Sequence, residues 1–126
     1  MEFLPKPKEV KLQKGEYALC YDGRIVLDRR LIGNGDTYAK VLQRGIQKET
    51  GLQYEIGYEV PGKKDSKAIE LKLDETQRSQ QYRIKVTEQG ICILGGDGAG
   101  VLYGVQTLCQ MIQEYGALLP AVQIED

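Results

Sequence analysis

The sequence contains no histidine and no tryptophan, one phenylalanine, two methionines and three cysteines among its 126 residues. The missing histidine is the most restrictive of these. It removes Ser-His-Asp and Cys-His catalysis, imidazole metal ligation and the usual general base near neutral pH. Any chemistry would fall to carboxylates, tyrosine or lysine. The cysteines Cys20, Cys92 and Cys109 are odd in number, far apart and without CxxC spacing. That argues against both a disulfide framework and a zinc site. Each stands among apolar neighbours, so small buried side chains in a reducing compartment are expected, with no histidine to activate a thiol.

Long apolar runs are also missing: nothing approaches the roughly 20 residues of a membrane span. The opening MEFLPKPKEVKLQ carries charge and proline where a signal peptide needs an apolar stretch, so a cytoplasmic location is expected unless the true start lies upstream. Nor is there an excess of one charge, with 17 basic residues against 18 acidic and a net charge of −1. No global field draws such a chain to nucleic acid or an anionic membrane. The local basic run Lys63, Lys64 and Lys67 follows Pro61-Gly62 without interleaved aromatics and reads as a solvated loop.

What is present is an ordinary globular composition, 41% hydrophobic and 28% charged, in a chain the length of one domain. Val10 and Leu12, then Tyr17, Leu19 and Tyr21, then Ile25 and Leu27 alternate with polar or small residues. The period predicts short strands separated by turns at Lys14-Gly15 and Asp22-Gly23. Asn34 or Asp36 then caps an amphipathic helix in which Tyr38, Val41, Leu42, Gly45 and Ile46 recur at spacings of three and four, ending near Gly51. Further period-2 runs follow at Leu52–Ile56, Ile69–Leu73, Tyr82–Val86 and Ile91–Leu94, the last two forming a hairpin about Glu88-Gln89-Gly90. A second helix is predicted from about Asp97 to Tyr115, with Val101, Leu102, Val105, Leu108, Cys109 and Ile112 in one stripe. Gly116 ends it, and Leu118 to Ile124 is extended. The order implies an α+β domain, a mixed and largely antiparallel sheet with two helices packed on one face. The chain stops at AVQIED directly after an apolar run, which suggests a cut between two domains of a longer protein.

The segment ILGGDGAGVLYG, residues 93 to 104, invites a test for chemistry. A dinucleotide fingerprint starting at Gly96 and Gly98 requires glycine where Val101 stands, and one starting at Gly98 and Gly100 requires it where Tyr103 stands. No G-x-x-x-x-G-K-[ST] occurs, and Asp97 would repel a phosphate at this helix start. Asp97 is instead an N-cap, complementing the helix dipole, and Gly100 and Gly104 share a helical face that a neighbouring element can approach. The one Asp-Glu dipeptide, Asp74-Glu75, opens a polar turn after a strand and projects its acids apart. A glycosidase needs two acids about 5 to 10 Å apart in a cleft.

Four stretches, LPKPKEVKL, YRIKVTEQGICILGGD, GAGVLYGVQTLCQMI and ALLPAVQIED, together resemble the N-terminal domain of family 20 β-N-acetylhexosaminidases. The resemblance covers nearly the whole chain, most clearly at its ends, and from about 30 to 75 only in general pattern. It implies a zincin-like topology, without a metal site or other cofactor, preceding a (β/α)₈ barrel. That barrel would be the partner and would act on glycans. In the family, the sugar's own 2-acetamido group attacks the anomeric carbon, an aspartate orients it and the next glutamate is general acid and base. Gly95-Gly96-Asp97 copies part of the family's Gly-Gly-Asp-Glu motif, but Gly98 stands for the glutamate and Ile93 for the preceding histidine. The resemblance therefore implies no catalytic or substrate-binding residue in this chain, Asp97 being a structural cap. It implies a mechanical role, in which Leu118, Leu119, Pro120 and the outer helix face pack on the barrel. Equivalent domains precede barrels in O-linked N-acetylglucosamine hydrolases and α-glucuronidases. A free-standing carbohydrate-binding or interaction module, with sugar binding resting on tyrosine in the absence of tryptophan, is the other alternative.

Overall fold

The computed structural model describes residue 3, residues 6 to 60, residue 62 and residues 68 to 126. Among these residues seven strands and two helices follow in the order β1 Glu9–Ala18, β2 Arg24–Leu27, α1 Gly35–Thr50, β3 Glu55–Tyr58, β4 Ala68–Leu73, β5 Tyr82–Thr87, β6 Gly90–Gly95, α2 Gly98–Tyr115 and β7 Leu118–Glu125. A 3₁₀ turn, Arg29–Leu31, lies between β2 and α1. The basic run at 63 to 67 lies outside the described residues.

The strands form one sheet in the order β1-β7-β5-β6-β4-β2-β3. The expected mixed sheet with two helices is present, evenly divided in direction. The pairs β1/β7, β7/β5 and β5/β6 are antiparallel, whereas β6/β4, β4/β2 and β2/β3 are parallel. A tight hairpin imposes the first kind of pairing on β5 and β6, while α1 between β2 and β3 carries the chain back to start a parallel neighbour.

Register places Ile25, Ile69, Ile91, Val86 and Val122 in one row across the sheet, and Leu27, Leu71, Ile93, Ile84 and Ile124 in the next. All ten are buried, and removing an isoleucine or leucine from water contributes about 2 kcal/mol. The helices cover this face. Gly104 of α2 has Ile93 against its Cα, and a Cβ there would stand 2.5 Å from Ile93 Cγ2. Gly98 faces Tyr38 and Gly45 faces Cys109, so α1 and α2 touch along their length and run in the same direction.

α1 ends at Gly51 in the left-handed conformation, φ +77°, with its N–H donated to the Gln47 carbonyl. At its start Asn34 holds the N-cap position without a side-chain bond, and Asp36 instead accepts from the Tyr58 hydroxyl at 2.8 Å. Two further local readings change. Lys14-Gly15 is not a turn: β1 runs through it with an irregularity between Leu12 and Glu16, opposite an unbroken β7, and Gly15 takes φ +107°. A glycine and charged neighbours signal a turn and a bulge alike. The strand expected from Leu52 begins only at Glu55, because Tyr54 turns inward as a buried loop residue whose hydroxyl accepts the Cys20 N–H at 2.9 Å. The cysteines are half-buried rather than buried, and burial pushes the Cys92 and Cys109 thiols up to about 11.

Candidate functional site

The glycine-rich segment emerges at the end of β6, where the chain reverses into α2. Asp97 occupies the N-cap position, and its Oδ1 accepts the Gly100 N–H at 2.9 Å. The same oxygen accepts the Gln80 N–H at 3.0 Å, and Oδ2 accepts the Ser79 hydroxyl at 2.6 Å. The carboxylate therefore ties the β4–β5 loop to the helix start. Gln80, the one non-glycine residue with positive φ among those described, is held at φ +66° by that bond. The Ser79 hydroxyl first, then the two backbone donors, hold the Asp97 carboxyl below its ordinary range. A general acid near neutral pH requires the opposite shift, so this group is an ionised acceptor.

The glycines beside it are explained by contact. A Cβ on Gly96 would run into the Arg78 carbonyl, and one on Gly100 into the Gln81 carbonyl, both backbone atoms that no rotamer change can move. Loop and helix thus approach at main-chain distance across a seam of missing side chains.

The carboxylates of Asp74 and Glu75 are bound to other partners. Asp74 accepts from the Thr76 N–H at 3.0 Å and the Thr76 hydroxyl at 2.6 Å, closing its own turn. Glu75 reaches Arg30 at 3.3 Å on the surface. Among the described residues no group of three or more Asp, Glu, Cys or His converges to hold a metal ion.

Sequence reasoning passed over Asp28, whose 4% exposure makes it the one buried acid among the described residues. It ends β2 and accepts the Arg30 N–H at 3.0 Å, the Arg30 guanidinium at 2.7 Å and the Leu73 N–H at 3.2 Å. The guanidinium is the main reason its carboxyl sits at about 2. The signal was an aspartate directly before Arg-Arg-Leu at a strand end, where a cap is needed. A second missed pair, Tyr82 and Thr107, joins β5 to α2 by a buried 2.8 Å hydroxyl bond.

Of the three residues expected to pack on a partner, Leu119 lies wholly in the core, Pro120 is half-buried and only Leu118 is exposed. The described residues do line an open groove of about 410 Å³ between the β4–β5 loop and α2, bordered by Gln80, Gln81, Tyr103, Gln106 and Gln110 and also by Lys8 and Asp126.

The residue pattern of Glycosyl hydrolase family 20, domain 2, matches residues 1 to 126. A β-hexosaminidase of Vibrio vulnificus is 36% identical over 58 residues, covering 46% of this chain and 7% of that protein. The β-N-acetylhexosaminidase of Bacteroides fragilis superposes with a TM-score of 0.69 at 22% identity, over 99% of this chain and 24% of that one. The family 20 β-N-acetylhexosaminidase of Streptomyces coelicolor gives 0.76 at 24% identity, over 97% and 25%. The chain therefore spans about a quarter of the solved relatives and a far smaller share of the curated one.

Proposed function

Because the chain belongs to glycosyl hydrolase family 20, of which residues 1–126 are domain 2, we propose that it is the non-catalytic N-terminal domain of a β-N-acetylhexosaminidase. The chemistry belongs to a (β/α)₈ barrel in the same polypeptide, which removes terminal β-linked N-acetylglucosamine or N-acetylgalactosamine by substrate-assisted retention. The whole-chain match carries this reading. The state of Asp97 supports it, since all three of its bonds serve the fold and Gly98 follows where an acid catalyst is required.

The test has two parts. The 126-residue chain, incubated with a chromogenic β-N-acetylglucosaminide, is expected to give no turnover above buffer. Turnover that survives repurification and disappears in Asp97→Asn would overturn the reading. The coding sequence past Asp126 is expected to continue for roughly 250 residues of alternating strand and helix patterns, with a Gly-Gly-Asp-Glu stretch.

A further inference from the structure

Among the described residues the sheet ends in β3 on one side and β1 on the other, and the two edges are built differently. β3 has four residues, three of them half-buried. β1 has ten, and every residue from Glu9 to Glu16 is exposed. An edge strand carries unpaired N–H and C=O groups that can template a further strand, and a short edge is one protection against this. β1 lacks that protection in its first half, before the irregularity between Leu12 and Glu16. Val10 pairs with Ile124 and Leu12 with Val122, so both belong to the helix side of the sheet, yet Val10 is 36% exposed and Leu12 67%. Glu9 and Lys11 belong to the open side, where their charges meet at 3.0 Å.

This stretch is complementary to itself in one register. A second copy that pairs antiparallel with it about a two-fold axis must keep helix side with helix side, because a slip of one residue would exchange the faces. A pairing centred on Glu9 sets that acid against its own counterpart, and one centred on Lys11 sets two ammonium groups together. A pairing centred on Leu12 runs into the irregular part of the strand. Centred on Val10, however, the pairing sets Glu9 against Lys11 twice, once in each direction, and Val10 against Val10 with Leu12 on the diagonal. Both neighbouring registers are opposed by like charge, and this one covers the bare apolar strip. An edge lysine deters pairing where it must face another cation, and here it faces a carboxylate at an exposed position.

We infer that Glu9 to Leu12 pair with the same residues of a second copy about a two-fold axis at Val10, joining two sheets edge to edge with the helices of both on one side. The inference is independent of the proposed activity, since the occupant is the chain itself. The contact is short, so the dimer is weak and its population depends on concentration.

Sedimentation equilibrium of the chain over a wide range of concentration is expected to show a reversible rise from the monomer mass towards twice that value. Lys11→Glu and Glu9→Lys, each of which sets like charges opposite one another, are each expected to weaken association about tenfold or more. The double swap Glu9→Lys/Lys11→Glu restores the opposite pairs and is expected to recover it. All these positions are exposed, so the fold is left intact. The register is read separately by oxidation, with Cys20, Cys92 and Cys109 retained as a common background. Val10→Cys is expected to give a covalent dimer, because directly opposed residues have Cα atoms about 4.5 to 5.5 Å apart. Leu12→Cys, more than about 13 Å from its counterpart along the strands, is not. A chain that stays monomeric at every concentration, association that Lys11→Glu leaves untouched or that the double swap fails to recover, or equal cross-linking of the two cysteine variants overturns the inference.

Discussion

On the helix side of the sheet, main chain approaches main chain: Gly96 and Gly100 leave no room for a single methyl group against the carbonyls of Arg78 and Gln81. On the open side, Glu70 and Lys72 or Arg83 and Glu125 meet at 3.1 and 2.8 Å, yet the Arg83 Nε hydrogen is not aimed at its partner and finds no acceptor among the described residues. Both sides are full of contacts. They differ in tolerance, because packing at fixed backbone distance has no alternative arrangement, whereas two flexible side chains in water have many.

That difference is open to measurement. Gly100→Ala is the severest probe: alanine improves helix propensity by about 1 kcal/mol, while over-packing a filled site costs about 1 to 3 kcal/mol and sometimes more. With a carbonyl in the way, a net loss of about 2 kcal/mol is expected in urea denaturation. A stabilised Gly100→Ala would mean that the seam is looser than described and would erase the contrast.

Next in size is Asp28, where the sheet hands over to the 3₁₀ turn. Its folded pKa of about 2 lies below the ordinary 3.8, so its contribution is complete above the higher value and disappears as pH falls through the lower one. Between about pH 5 and pH 2 the protein should lose about 2 kcal/mol through this group, and Asp28→Asn should remove that part of the slope. Identical acid profiles for the two proteins would deny the buried carboxylate its role. The smallest effect is expected on the open face, where Lys72→Gln costs less than about 0.5 kcal/mol and added salt changes it little. A loss comparable to that of Gly100→Ala would break the comparison from the other side.

Much of this architecture was written locally. The β5–β6 hairpin, α2 with its closing Gly116, and the close-packing helical face of Gly100 and Gly104 all follow from short-range spacing, because hydrophobic period and glycine chemistry act over a few residues. What was not legible is which strand lies beside which. Alternation in Ile25, Leu27, Ile69 and Leu71 says that one side is buried, and it says nothing about the neighbour or its direction. Half of the pairings are parallel, against the largely antiparallel expectation, because strands joined by a crossover leave no hairpin signal in the sequence. Asp28 escaped because a lone acid near two arginines looks like any surface turn until Leu73, far along the chain, supplies a third donor. Leu119 was placed on the outside because apolar residues near a chain end serve equally as core and as docking surface.

The first strand pairs with the last: Glu9 lies opposite Glu125, almost the whole length of the chain away, and β7 stands between β1 and β5. During synthesis β1 has therefore no partner until β7 has left the ribosome. Everything between must already be near its place when loop closure across the full chain occurs, a topology that folds slowly and late. Losing β7 would strand β1 as well, so the eight residues Leu118–Glu125 act as the latch of the domain.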